Sequence, residues 1–230
     1  MPTIIVKGTD IELRDFAEQD NDKLFKVIDH NRIYLRNWLF WVDLTTTIED
    51  SLNFIKSAVI SNDEKSSLVL GMWRGSELVG TVSLVNINYE SRFAELGYWL
   101  AENEQGKGYV TSSCRSLITY AFENFQIDSI RIKCVAENQS SHAVIKRLGL
   151  ACSRSTDETQ WIHGHQSAEP VAMICGETSR LTWQLLQQQG KSQTIFSSTQ
   201  QQLYASDGID HSISAGNGIL GNSSVNSTLF

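Results

Sequence analysis

The chain has 230 residues, 41% of them hydrophobic, and a formal charge of −7. This length accommodates one domain with an appendage, and the hydrophobic content is enough for a packed core. The acidic balance, with no run of Lys or Arg, argues against nucleic-acid binding because phosphates need neutralising cations. No secretory signal is evident at the start of the chain, and no apolar run approaches the ~20 residues that span a membrane. We therefore expect a cytoplasmic protein without a nucleic-acid or membrane partner.

Cysteine and histidine usage gives no indication of a metal centre. The four cysteines are scattered along the chain: Cys114, Cys134, Cys152 and Cys175. Their spacing argues against both a zinc site and a disulfide framework. His163 and His165 flank Gly164, but a pair of histidines without further ligands makes a poor metal site. We expect no bound metal.

The first part of the chain predicts a short strand and two helices. Residues 11–14 are expected to be extended, and residues 21–31 helical with Asp20 as the N-cap. Residues 46–49 read Thr-Thr-Ile-Glu, which fits a capping box and predicts the start of a second helix. The aromatic segment 34–41 is apolar enough to be buried. Four side chains of the second helix are expected to face the core: Leu52, Phe54, Ile55 and Val59.

The remainder of the domain alternates strands and helices. A Gly-containing loop at 74–77 predicts a hairpin, and Gly149 is a suitable C′ residue for a short helix. The predicted strands are 68–73, 78–85, 94–100, 130–136 and, more weakly, 151–155, 159–162 and 171–175. The predicted helices are 110–125 and 141–148. This order indicates a mixed α/β class.

The composition changes near residue 187. Residues 187–230 are rich in Gln, Ser, Asn and Gly and poor in charge and in periodic apolar residues. Such a segment cannot easily offset its ordering entropy by burial. We therefore predict a domain at 1–186 followed by a weakly ordered tail at 187–230.

The most informative segment joins the strand at 94–100 to the helix at 110–125. It consists of Gln105, Gly106, Lys107, Gly108, Tyr109, Val110 and Thr111. A glycine loop entering a helix presents backbone N–H groups to an anion, and the helix dipole adds roughly half a positive charge. The spacing fits neither the Walker A nor the dinucleotide glycine pattern. Taken alone, the segment is equally compatible with a plain turn.

With three further blocks, this loop resembles the GNAT superfamily of N-acetyltransferases, in particular its RimJ/RimL-type ribosomal-protein branch. The other blocks are 35–43, 95–100 and 136–150, and all keep their order across roughly residues 8–175. The resemblance implies an α+β fold with a central, mostly antiparallel, twisted sheet that is splayed at the acyl-CoA site and flanked by helices. It also implies acetyl-CoA as cosubstrate.

The resemblance implies roles for individual residues. The backbone of Gln105–Thr111 would hold the CoA pyrophosphate, with Thr111 at the helix start. Trp99 and Leu100 would lie beside the pantetheine arm, where a strand N–H polarises the thioester carbonyl. Asn138 and Ser141 would face the cofactor near its sulfur, with Ser141 placed to interact with the leaving thiolate.

Two departures from the family pattern concern proton transfer. Gln160 stands where many relatives carry a glutamate that accepts the proton of the amine, and glutamine cannot do this. Ile145 stands where many carry a tyrosine general acid. Glu158 is the expected replacement for the base, while His163 and Glu95 remain open alternatives.

The function implied is transfer of an acetyl group from acetyl-CoA to a primary amine, with the α-amine of a protein N-terminus as the expected acceptor. Two alternatives stay open: a small amine such as a polyamine, and a GNAT module that binds acyl-CoA without catalysis. Assembly into a homodimer is also left open.

Overall fold

The computed structural model describes residues 3–158, 160–162, 164–167, 169 and 171–192. The strands in these residues are β1 (Ile4–Ile5), β2 (Ile11–Arg14), β3 (Leu68–Arg74), β4 (Glu77–Asn88), β5 (Phe93–Leu100), β6 (Ser129–Val135), β7 (Ala151–Glu158), β8 (Trp161–Ile162), β9 (His165–Gln166) and β10 (Val171–Ser179). The helices are α1 (Asn21–His30), α2 (Arg32–Leu35), α3 (Ile48–Asp63), α4 (Tyr109–Asn124), α5 (Gln139–Leu148) and α6 (Arg180–Ser192). None of the described helices is long and apolar enough to cross a bilayer.

Eight of the strands form one sheet in the order β1-β2-β3-β4-β5-β6-β10-β7, and β8 pairs separately with β9. Every pairing in the large sheet is antiparallel except that of β5 with β6. The helix α4 connects these two parallel strands, as a parallel crossover requires. The predicted mixed fold with a mostly antiparallel sheet is confirmed.

The sheet opens between β5 and β6. In the described part of the chain these strands pair only at Phe93–Glu95 with Ser129–Arg131. Beyond this point β5 pairs with β4 as far as Leu100, and β6 pairs with β10 as far as Val135. The second half of β5 therefore has a free backbone edge, and the splayed sheet expected from the family resemblance is present.

The main core lies on one face of the sheet, against α1, α2 and α3. Alternate residues of a strand point to opposite faces, which explains why Val69 and Trp73 of β3 belong to this core. Trp99 of β5 also belongs to it and packs near Trp41, with ring centroids 6.0 Å apart. The helix α4 contributes a second set of fully buried side chains: Cys114, Leu117, Ile118 and Ala121.

Of three local predictions in the first part of the chain, one holds in position only and two are wrong. Asp20 is the N-cap residue of α1 as predicted, but its side chain makes no capping bond, because its carboxylate accepts hydrogen bonds from Arg14, at 2.8 and 3.1 Å, and from the Ala17 N–H. The capping box of α3 is formed by Thr47 and Asp50, one position later than expected. Val59 is 36% exposed because it follows Ala58, whose side of the helix faces the core.

Chain contacts divide the molecule after Trp183. The first unit contains all strands and helices as far as the start of α6. Of the second unit, residues 184–229, the structure describes only 184–192, which form the end of α6. This helix extends past the predicted boundary at residue 186, while the part of the predicted tail at 193–230 lies outside the described residues.

Candidate functional site

The glycine loop has the backbone conformation that its composition suggests. Gly106 and Gly108 have φ angles of 76° and 79°, and Gly108 is the N-cap of α4. Positive φ is costly for residues that carry a Cβ. A Cβ added at either glycine would meet nothing within 4 Å, so the space above the loop is open. Glycine at these positions therefore serves the backbone shape and leaves room for a ligand.

The start of α4 offers a group of free backbone donors. Among the described residues, no backbone acceptor is recorded for the N–H groups of residues 106–111. The first bond of the helix runs from the Ser112 N–H to the Gly108 carbonyl, at 3.0 Å. Unpaired donors at the positive end of a helix dipole form an anion site. The loop therefore fits the pyrophosphate of CoA.

A cavity of about 570 Å³ lies against this helix start. It is bounded by the end of β5, the glycine loop, the first turn of α4, one side of α5, and α2 with the residues after it. Ten of the predicted site residues line it: Trp99, Leu100, Gln105, Gly106, Gly108, Tyr109, Val110, Thr111, Asn138 and Ser141. Lys107 is not among the described residues that line the cavity, and the side chain of Glu158 lies outside the described residues. Trp99 also shows that core and site overlap, because its ring packs in the main core.

The side chain of Lys107 is directed at a carboxylate instead of the cavity. Its ammonium lies 2.8 Å from Glu104, whose side chain is only 7% exposed. Arg74 pairs with the same carboxylate oxygen at 2.9 Å. The charge of Lys107 is thus balanced locally, and its contribution to the anion site is limited to its backbone N–H.

The free edge of β5 borders the cavity. Strand edges bind extended ligands through backbone hydrogen bonds, with alternate N–H and C=O groups available. The pantetheine arm of CoA contains amide groups and matches this edge. The same edge supplies the N–H that would polarise a thioester carbonyl.

Asn138 and Ser141 occupy the start of α5. The Asn138 side chain accepts a hydrogen bond from the Ser141 N–H at 3.0 Å, so it caps this helix. The Ser141 hydroxyl forms a 2.6 Å hydrogen bond with the phenol of Tyr98. Both residues line the cavity, where the cap orients the serine towards the open edge of β5.

Arg147 is a cavity residue to which the sequence analysis assigned no role. Its guanidinium donates to the Thr111 hydroxyl at 3.2 Å, close to the free N–H groups of α4. No carboxylate partner of Arg147 is recorded in the described part of the chain, and the residue is exposed. Arg147 lies in the block at residues 136–150 that carries the family resemblance, and this place in the sequence could have identified it. From the last turn of α5 its cation reaches the start of α4.

Glu95 is a candidate for the general base whose side chain the structure describes, and it does not line the cavity. Glu95 accepts a hydrogen bond from Asn86 at 2.8 Å and lies 3.8 Å from the Lys133 ammonium. The backbone of Glu158 pairs with Val171 in the sheet, but its side chain lies outside the described residues.

Gln160 and His163 complete the set of base candidates. The backbone of Gln160 exchanges hydrogen bonds with Ser167, at 2.8 and 2.9 Å, and Gln160 does not line the cavity. His163 lies outside the described residues. The identity of the base therefore stays a prediction.

Ile145 has a packing role. It is fully buried, and a Cβ added to Gly176 of β10 would lie 2.3 Å from its Cγ2 atom. The Ile145 side chain therefore packs against the sheet. Because it has no hydroxyl, it cannot act as the general acid that many relatives have at this position. No cluster of His, Cys, Asp and Glu that could hold a metal ion is found in the part of the chain that the structure describes.

This combination of a splayed sheet, a glycine loop and a donor-rich helix start matches a known family. Residues 10–151 match the family model of the acetyltransferase (GNAT) domain. The chain belongs to the GNAT acetyltransferase family. The family takes its acetyl group from acetyl-CoA, so the prediction of an acetyl-CoA-dependent transferase is confirmed at this level.

Several members are similar over most of the domain. YdaF of Bacillus subtilis (strain 168), a proposed ribosomal N-acetyltransferase, is 29% identical over 159 residues, which cover 67% of this chain and 85% of YdaF. The ribosomal-protein-serine acetyltransferase of Escherichia coli (strain K12) is 24% identical. The match covers 71% of this chain and 91% of the Escherichia coli enzyme. The solved structure of the microcin C7 self-immunity acetyltransferase MccE contains acetyl-CoA and AMP. MccE is 26% identical to this chain, and the matched region covers 78% of this chain and 97% of MccE. The TM-score is 0.70.

Proposed function

We propose that this GNAT acetyltransferase transfers an acetyl group from acetyl-CoA to the α-amine of a protein N-terminus, as in ribosomal-protein acetylation. The observation that carries the donor half of this proposal is the free backbone edge of β5 beside the open start of α4. The acceptor half is supported by the names of the relatives in Bacillus subtilis and Escherichia coli.

The composition of the cavity favours a protein acceptor over a polyamine. A polyamine carries several positive charges and needs carboxylates to bind it. None of the described residues that line the cavity is Asp or Glu, and among these residues only Arg147 is charged. Tyr34 and Trp38 line the side formed by α2 and the following turn. Aromatic side chains of this kind can hold an extended peptide.

We assign the residues as follows. The N–H groups of 106–111 hold the pyrophosphate, and the backbone of Trp99 and Leu100 flanks the pantetheine arm and the thioester. Ser141, supported by Asn138, lies at the departing sulfur. The amine of the acceptor is itself the nucleophile, so the protein supplies orientation, charge stabilisation and a proton acceptor. Glu158 remains our candidate for that acceptor.

The test is thiol release from acetyl-CoA with a panel of acceptors: peptides with N-terminal Ser or Ala, spermidine and free lysine. We expect release to depend on the peptides, and mass spectrometry should locate the acetyl group on the α-amine. A response to spermidine alone would contradict the protein acceptor. Tight acetyl-CoA binding with no transfer to any amine would favour the non-catalytic alternative.

We also propose that residues 1–186 suffice for this activity and that 187–230 form an appendage. Deleting 187–230 should leave CoA affinity, turnover and the mass measured by light scattering unchanged. A loss of turnover would assign the segment to the catalytic domain. A change from dimer to monomer would assign self-association to it. A cytoplasmic location is part of the proposal, because acetyl-CoA and ribosomal proteins occur there.

A further inference from the structure

The phenol of Tyr98 and the hydroxyl of Ser141 form a hydrogen-bonded pair on the cavity wall. Their oxygens lie 2.6 Å apart, and the phenol oxygen lies 3.4 Å from the Ser141 carbonyl oxygen. Tyr98 belongs to β5 and Ser141 to the first turn of α5. The pair therefore joins the two elements between which the acyl end of the donor would lie.

The Tyr98 phenol keeps its proton at neutral pH. Burial raises the pKa of Tyr98, and the neighbouring Cys114 acts in the same direction. The charge of Arg147 lowers this pKa without cancelling the rise. A neutral phenol is a stronger acid than an aliphatic alcohol, so Tyr98 is the natural donor in its bond with Ser141.

The surroundings of Ser141 leave its hydroxyl hydrogen available. Its N–H is held by Asn138, at 3.0 Å. Burial raises the pKa of the Cys134 thiol to about 11, so this thiol keeps its proton at neutral pH. A hydroxyl has one hydrogen and two lone pairs. A bond donated by Tyr98 would occupy one lone pair and leave the hydroxyl hydrogen to point into the cavity.

We propose that Tyr98 is a positioning residue, which donates a hydrogen bond to Ser141 so that the serine hydrogen points at the sulfur of acetyl-CoA. This inference rests on the proposed function of the same cavity. It accounts for the absence of a tyrosine at Ile145, because a tyrosine on β5 supplies a phenol that acts through the serine.

The reaction balances without any further reactant. The amine nitrogen forms a bond to the thioester carbonyl carbon, and the carbon–sulfur bond breaks with its electron pair passing to sulfur. Ser141 donates a hydrogen bond to that sulfur and keeps its proton. The proton lost by the amine neutralises the thiolate by way of the base and solvent.

The kinetic test compares single and double variants with the best peptide acceptor. We expect Tyr98→Phe to lower kcat about tenfold while KM for acetyl-CoA changes by less than about twofold. Ser141→Ala should lower kcat as well, and the double variant should be no slower than Ser141→Ala alone. Additive losses, or an unchanged kcat for Tyr98→Phe, would overturn the assignment.

The matched control is Tyr89→Phe. The Tyr89 phenol donates to the Lys65 carbonyl at 2.8 Å and does not line the cavity. Its loss should leave kcat unchanged. Thermal unfolding of each variant shows whether it folds, and the aromatic ring is kept in both tyrosine variants.

A binding test needs no acceptor. Calorimetry should show that wild-type protein binds CoA at least about threefold more tightly than desulfo-CoA, because one hydrogen bond to sulfur is lost. Tyr98→Phe and Ser141→Ala should both remove this preference, and its persistence in Tyr98→Phe would overturn the inference. If the preference behaves as expected but no amine is acetylated, the proposed function fails and the positioning role stands.

Discussion

The Lys107 ammonium lies 2.8 Å from a carboxylate oxygen of Glu104 at the base of the cofactor loop. The Glu104 side chain is 7% exposed and also pairs with Arg74. A buried carboxylate needs such partners, because leaving it unpaired is costly. The one lysine of the loop thus stabilises the protein and leaves anion binding to the backbone.

This pairing predicts different effects for two nearby cations. Lys107→Met should weaken CoA binding by less than about threefold, whereas Arg147→Met should weaken it about tenfold because its guanidinium lies beside the free N–H groups of α4. The measurement is calorimetric titration with CoA at two salt concentrations. Lys146→Met is the control, since Lys146 is exposed and does not line the cavity. A larger loss for Lys107 than for Arg147 would contradict the arrangement.

Gly108 offers a test of where the pyrophosphate lies. Gly108→Val should weaken CoA binding tenfold or more, about 1.4 kcal/mol, because the side chain would occupy the open space above the loop. Gly8→Val is a matched control, since Gly8 has a φ of 76° and an added Cβ there also meets nothing within 4 Å. Both changes should cost about 1–2 kcal/mol of stability through backbone strain. Unchanged CoA affinity in folded Gly108→Val would remove the loop from the cofactor site.

The sequence identified those features that depend on a few neighbouring residues. Gly149 was expected to end a helix and has a φ of 73°. The loop at 105–111 was singled out for the same reason, because left-handed glycines and a helix start are encoded locally, but its cofactor role came from the resemblance carried by four blocks. The four-residue helix α2 was missed, since its apolar and aromatic surroundings carry no clear period.

Features that depend on tertiary contacts could not be predicted in this way. The role of Asp20 was misjudged because Arg14, six residues earlier, competes for its carboxylate. The position of Arg147 at the cavity depends on how α5 packs beside α4, and no local sequence pattern predicts this packing. Tyr98 lies in the block at 95–100, but its contact with Ser141 could not be predicted because it spans 43 positions of the chain.

The ion pair of Asp20 and Arg14 predicts a dependence of stability on pH. Burial acts to raise the pKa of Asp20, but hydrogen bonds from Arg14 and Ala17 and nearby positive charges lower it overall. Because the folded-state pKa is depressed, the stabilisation is present above the unfolded value of about 3.9 and is lost as pH falls through the folded value.

Asp20→Asn should therefore lower the free energy of unfolding at pH 7 by about 2 kcal/mol and flatten its decline in acid. Urea denaturation between pH 7 and pH 3 measures both effects. Asp29→Asn is the control, because Asp29 is 55% exposed and its pair with Arg32, at 3.2 Å, should contribute little. Equal effects of the two changes would contradict a special role of the buried carboxylate.

The contact between Gly176 and Ile145 links the sheet to the cavity. A Cβ at position 176 would lie 2.3 Å from the Ile145 Cγ2 atom, so Gly176→Ala must displace α5 from β10. We expect a loss of stability of about 1–3 kcal/mol, as for other overpacked sites. CoA affinity should fall as well, because α5 carries Asn138 and Ser141 into the cavity.

A double variant separates this displacement from other effects. Ile145→Ala removes the clashing methyl group and by itself should cost about 2–5 kcal/mol through the cavity it leaves. In Gly176→Ala/Ile145→Ala the new methyl group enters that space, so the combined loss should be smaller than the sum of the two single losses. Urea denaturation and calorimetry with CoA measure the two quantities. Strictly additive losses would show that α5 does not rest on Gly176 through Ile145.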